Sequence, residues 1–216
     1  MPRAAATKAR KQATQERSRA TVEALLAATA RVLVREGYDR ASTNKIAAAA
    51  GVSVGSLYQY FPSKEALVAA VQDRHVEHML SEVRATMTQA VHRPLPEAAR
   101  ELVRVMIAAH AVSPKLHRVL VEQIPRVRGL AQIERVGEEA LSMTRVYLGA
   151  HASSLAVEDL EMAAFIVVTC VEALTHAAVL YRPALLGDES FVDEVTAVVI
   201  RYLGYRAPEG DARERT

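Results

Sequence analysis

The sequence predicts an all-α fold: a compact N-terminal group of three helices, joined by a long helix to a larger helical domain. Three observations carry that prediction. Half of the 216 residues are apolar, with only nine glycines and eight prolines, a mixture rich in helix formers. Apolar positions recur three or four apart along most of the chain, and no stretch alternates as a half-buried strand would. Hydroxyl residues, glycines and prolines fall where helices would start and stop. A chain of this length can bury a substantial core.

Each element can be justified in order. Residues 1–16 are small, polar and basic, and read as a disordered arm (Arg3, Lys8, Arg10, Lys11). From residue 17, Val22, Leu25, Leu26, Val32 and Leu33 mark one face of a helix. Thr29 shares that face, where its hydroxyl can bond a carbonyl one turn earlier. Glu36-Gly37 closes the helix, with Gly37 available for a left-handed cap. Ser42-Thr43 can cap a short helix that stops at Gly51, and Ser53 a second one reaching about Tyr60. Ser63 then opens a long helix from Lys64 that fades near His92. Pro94 and Pro96 precede a helix over 101–112, and Pro114 and Pro125 bracket another. Residues 129–150 are helical, 157–182 form the longest buried helix, and Gly187 precedes the last. The boundaries drawn are 17–68 and 69–205 for the two domains, with a charged tail over 206–216.

Composition excludes several classes. One cysteine, Cys170, rules out an internal disulfide framework and a four-cysteine zinc site. The start, MPRAAATKARKQATQERSR, is basic and lacks the apolar stretch of a secretory signal. The segment AAFIVVTCVEALTHAAVLY (163–181) approaches membrane-spanning length, but Glu172 and His176 would be expensive in hydrocarbon. It reads as a helix of a soluble, cytoplasmic protein. The net charge of +2 is unevenly spread: residues 1–75 hold 12 Lys/Arg against 6 Asp/Glu, and the remainder is acidic. A basic N-terminal third suggests a polyanion-binding module.

Two short helices joined through Ala-Gly-Val-Ser (50–53) make a helix-turn-helix. Ala47 provides the small residue where they cross, and Ile46, Val52 and Leu57 a small core. Gly51 gives the first helix a positive-φ end at little cost. Gly55 differs, because inside a helix it costs about 1 kcal/mol relative to alanine. Either it lets the backbone approach DNA in a major groove, or it packs closely on a neighbouring helix. The groove reading fits better beside the turn and the tyrosines.

The run Thr43 to Leu67, TNKIAAAAGVSVGSLYQYFPSKEAL, resembles the DNA-binding signature of the tetracycline-repressor-like (TetR) transcriptional regulators, as does the preceding Gly-Tyr-Asp-Arg-Ala-Ser-Thr. The resemblance covers about residues 17–75. It implies that Thr43 contacts phosphate, that Ser53, Val54, Gly55, Ser56 and Tyr58 face bases and nearby backbone, that Gln59 and Tyr60 lie near phosphates, and that Lys64 binds one. No Arg or Lys occurs between Lys45 and Lys64, so the usual bidentate reader of guanine is missing from the second helix. Readout would fall to hydroxyls, the Val54 methyls, Asn44 or Lys45, and DNA shape. The basic arm would either supplement phosphate binding or serve as a solvated tail.

A single helix-turn-helix reads few base pairs, so a homodimer on a two-fold site is expected. The helix over 163–171 is apolar around nearly its whole circumference. With 190–203 it offers a dimer interface through Val168, Val171, Phe191, Val195, Val198 and Tyr202; a buried core within one chain is the alternative. The resemblance further implies a small-molecule pocket among the middle helices. Candidate ligand-binding residues are Met106, His110, Met143, Tyr147, Phe165, Thr169, Glu172 and His176, with His151 a further polar group. No nucleophile elbow, phosphate loop or metal motif is present, and His75 and His78 with Glu77 and Glu82 read as a solvated helix face. No enzyme activity, cofactor or metal is expected. The expected function is a ligand-responsive regulator, a repressor by default, binding a pseudo-palindromic operator in double-stranded DNA. The alternative is a structural helical dimer that binds DNA through charge alone.

Overall fold

The computed structural model describes residues 6–90, 93–127 and 130–207, with backbone alone for 6–15 and 123–136. Among the described residues there are nine α-helices and two short 3-10 turns. The helices are α1 (Ala6–Arg40), α2 (Thr43–Ala50), α3 (Val54–Tyr60), α4 (Lys64–Ala90), α5 (Leu95–Ala111), α6 (Pro114–Val127), α7 (Leu130–Ala150), α8 (Leu160–Tyr181) and α9 (Glu189–Leu203). The chain forms two compact units, one of Met1–His75 with Val119–Arg128, the other of Val76–Arg118 with Gly129–Thr216. The division between His75 and Val76 falls within α4.

In the first unit, α1 packs on α2 and α2 on α3. Leu25, Leu33, Ile46, Leu57, Leu67 and Val68 are fully buried. Thr29 is buried among them because its hydroxyl donates to the Leu25 carbonyl at 2.7 Å, the back-bond that its place on the apolar face requires. The backbone is already helical at Ala6, where an irregular arm was expected; Ala, Lys, Arg and Gln dominate residues 6–15, and all favour helix. Residues 1–5 and the tail from 208 lie outside the described residues. Gly37 does break α1, but at φ 75°, ψ 173°. That is the extended positive-φ region open essentially to glycine alone, not the left-handed cap.

Helix starts follow the hydroxyl residues. Ser42 Oγ accepts from Lys45 N at 3.3 Å, Ser53 Oγ from Ser56 N at 3.0 Å and Ser63 Oγ from Ala66 N at 3.2 Å. Gly51 ends α2 at φ 70°, ψ 28°, where its N–H is shared between the Ala47 and Ala48 carbonyls.

In the second unit α5, α7 and α9 pack on α8, and α5 also packs on α9. Val103, Ile107, Leu148, Ala164, Val199 and Leu203 belong to its core. Ion pairs fasten the outside of α5 to α9: Arg100 reaches Asp193 at 2.5 Å and Glu189 at 2.8 Å, and Arg104 reaches Glu189 at 3.0 Å. Three boundaries differ from expectation. α5 begins at Leu95 and not at 101, with Pro96 in its first turn, where the missing N–H has no helical partner to lose. α6 continues through Pro125 to Val127, because a proline near a helix end forfeits only one backbone bond. α8 begins at Leu160, where Asp159 accepts from Met162 N at 2.9 Å. α8 is also neither the longest helix nor a fully buried one, since its own chain covers only part of its apolar circumference.

Candidate functional site

The helix-turn-helix presents a defined outer face. The Thr43 and Tyr58 hydroxyls lie 3.2 Å apart and join the first turn of α2 to the middle of α3. Tyr58 is 51% exposed although its ring is large and apolar. Asn44, Ser53, Gly55 and Gln59 are exposed around it, with Val54 and Ser56 half-buried. A Cβ built on Gly55 would meet only Ser53 Oγ, at 4.0 Å. Close packing on a neighbouring helix therefore does not explain this glycine.

Beyond the Thr43–Tyr58 pair and the Ser53 cap, Lys45, Tyr60 and Lys64 are also engaged within the protein. Lys45 Nζ donates to Glu36 Oε2 at 2.5 Å and to the Arg40 carbonyl at 2.9 Å. The Lys45 ammonium, then the Arg35 guanidinium, hold the Glu36 carboxyl below its ordinary range. Lys45 is thus drawn back toward α1. The Tyr60 hydroxyl donates to Ser18 Oγ at 3.3 Å, which ties α3 to α1. Lys64 Nζ donates to the Tyr38 carbonyl at 3.1 Å and sits 4.0 Å from the centroid of that ring. The Tyr38 hydroxyl in turn donates to Glu65 Oε1 at 3.0 Å.

The second unit holds a partly open cavity of about 100 Å³ between α4, α5, α7, α8 and α9. Val83, Met87, Met106, Val167, Val171 and Leu203 contribute to its apolar wall, and Thr144 and Tyr147 bring hydroxyls. The Tyr147 side chain is buried, and its hydroxyl has no hydrogen-bond partner among the described residues. Burial raises its phenol above the usual value. Of the expected ligand-binding residues, Met106 and Tyr147 line this cavity, whereas Met143, Phe165, Thr169, Glu172, His110 and His176 do not. Thr144 stands where Met143 was expected, because one residue of helical phase decides which side chain points inward. Phe165 is 53% exposed on the outside of α8. Glu172 is half-buried, and burial raises its carboxyl above the ordinary 4.5.

The expected dimer residues divide in the same way. Val171 and Val195 are buried in the chain's own core, Val168 lines the cavity, and Phe191 packs on the core. Val198 and Tyr202 are exposed on α9, as are Met162, Phe165, Leu174 and Tyr181 on α8. An apolar helix has one side committed to its own core, and sequence periodicity cannot say which.

One constellation is absent from the sequence reading. His110 at the end of α5, His117 near the start of α6 and His176 on α8 form a cluster with ring centroids 4.3, 5.0 and 5.1 Å apart. His110 and His117 are buried and His176 half-buried, and burial lowers the His176 pKa. His110 Nδ1 lies 2.7 Å from the Met106 carbonyl. Nothing in the spacing of 110, 117 and 176 signals this meeting, because Pro114 interrupts the helical register and the third residue comes from a distant helix.

Comparison with known proteins adds the family. The model for bacterial regulatory proteins of the tetR family matches residues 25–71, and that for the tetracyclin repressor-like C-terminal domain matches 94–203. The HTH-type transcriptional activator FasR of Mycolicibacterium smegmatis is 46% identical over 63 residues, which is 29% of each chain. An uncharacterized HTH-type regulator of Bacillus subtilis, YvdT, is 34% identical over 65 residues, covering 30% of this chain and 34% of that protein. The matched regions thus span about a third of these relatives. Among solved structures, the fatty acid degradation regulator FadR from Bacillus halodurans superposes with a TM-score of 0.69 at 22% identity, covering 86% of this chain and 97% of that one. With both family models matched in order along the sequence, and the C-terminal match alone extending over half its length, the chain belongs to the TetR family of transcriptional regulators.

Proposed function

We propose that the protein is a cytoplasmic, homodimeric regulator that binds a pseudo-palindromic operator through α2 and α3 and is released from it by a small molecule. The observation that carries the reading is the exposed face of α3, where Gly55 leaves open space beside Tyr58 and the Thr43 hydroxyl. A backbone without a Cβ can approach a groove wall, and the hydroxyls can bond phosphate or base edges without a guanidinium. Lys64 joins as a phosphate ligand by exchanging the Tyr38 carbonyl for a phosphate oxygen. Lys45, held by Glu36, contributes less than the sequence suggested.

The effector is apolar or amphipathic. Its tail fills the apolar cavity, and the Tyr147 hydroxyl donates to an oxygen at its polar end. α4 carries both Lys64 and the cavity residues Val83 and Met87, so one continuous helix can transmit occupancy to the DNA-binding unit. The dimer face is the exposed apolar outside of α8 and α9, centred on Phe165, Val198 and Tyr202. Regulation follows the repressor default, although FasR is named an activator.

The test is selection of host genomic fragments by the purified protein at physiological salt. Recovery of a shared two-fold sequence supports the reading. A folded dimer that enriches no sequence, with and without host metabolites, contradicts it in favour of charge-driven binding.

A further inference from the structure

We propose that His110, His117 and His176 form a binding site for a divalent transition metal of the zinc class. Their potential ligand nitrogens all lie within 4.8 Å of one another, close enough for small side-chain rotations to bring three onto one ion. The three imidazoles come from α5, α6 and α8, so the site is built across helices and is not a run on one surface. It is also enclosed: His110 and His117 are buried, which removes competing water from the donors. Three neutral imidazoles with one position left open are a donor set that suits zinc, and also cobalt and nickel.

The support around the first ligand fits the same chemistry. With His110 Nδ1 at 2.7 Å from the Met106 carbonyl, the ring donates its Nδ1 proton there, so in the neutral imidazole the lone pair is on Nε2. A ligating histidine usually fixes its tautomer through such a bond to a carbonyl. His110 and His117 flank the turn at residues 112–113 between α5 and α6, so a bound ion would pin both helix ends to α8. His75 and His78 on α4 have no comparable enclosure: His78 is exposed and His75 half-buried.

The experiment titrates the full-length, metal-stripped protein with Co²⁺ and reads its visible ligand-field spectrum, followed by competition with Zn²⁺. The expected result is one ion per chain, an absorption typical of nitrogen ligands without thiolate charge transfer, and displacement by Zn²⁺. His176→Gln and His117→Gln, each checked for native circular dichroism, should weaken binding at least tenfold, and His78→Gln should leave it unchanged. Should either ligand variant fail to fold, paramagnetically shifted imidazole protons in the wild-type protein count the histidines on the metal. The proposal is overturned if the wild-type protein gives no such spectrum, if folded His176→Gln keeps it, or if His78→Gln abolishes it.

Discussion

At Gly55 the stability of the fold and the proposed DNA contact make opposite demands on one residue. The open space around it means that Gly55→Ala is sterically free in this chain. Alanine should stabilise the protein by up to about 1 kcal/mol, since glycine inside a helix is costly. The same methyl should weaken operator binding at least tenfold, so thermal denaturation and fluorescence anisotropy should move in opposite directions. Tyr147 makes a related case in the cavity. Tyr147→Phe removes a buried hydroxyl that lacks a partner among the described residues, so stability should hold or rise, while response to an oxygen-bearing effector should fall. Isothermal titration with medium-chain carboxylates against the matching alkanes would read that loss. Glu172 gives a prediction with a pH sign. Its raised carboxyl holds a proton where the unfolded chain has lost its own, so this group favours folding at low pH and loses that contribution as pH rises through the raised value. Glu172→Gln should therefore be more stable than wild type at pH 7, with the difference closing toward pH 4 in thermal melts. The His176 shift has the opposite sense: its contribution is whole above 6.5 and declines as pH falls below.

At the scale of elements, helix starts and stops were legible because their chemistry is local. Ser42, Ser53 and Ser63 cap from positions that sequence alone identifies, and Gly51 needs only its own φ. Ile46 and Leu57 were equally readable, as the apolar contacts that lock two short helices. Leu57→Ala should cost about 2–5 kcal/mol in denaturant unfolding, because it leaves a void at a fully buried position. What sequence could not give is the partner of each side chain. Lys45 looked like a base reader, yet Glu36 and the Arg40 carbonyl hold it. Val171 and Val195 shared the period of a dimer face, yet they fill their own chain's core. The histidine cluster was hidden for the same reason, as it depends on how three helices meet and leaves no repeat in the sequence.

At the scale of the whole molecule, α4 runs from the proposed DNA-reading unit into the unit that holds the cavity, and reading a two-fold site requires two such chains. The proposed pairing surface is the outside of α8 and α9, where Phe165 and Val198 are exposed. Phe165→Glu with Val198→Glu should give a folded monomer by sedimentation, because both side chains are solvent-facing in the single chain. The central claim is sequence-specific operator binding, and affinity measured against salt tests it most directly. The selected operator and a shuffled duplex would be compared by anisotropy from low to physiological salt and above. The account predicts that both affinities fall with salt while the preference for the operator persists, because phosphate contacts are screened and base contacts are not. Equal affinities with one shared steep slope would contradict it, and would leave a helical protein that holds DNA by charge alone.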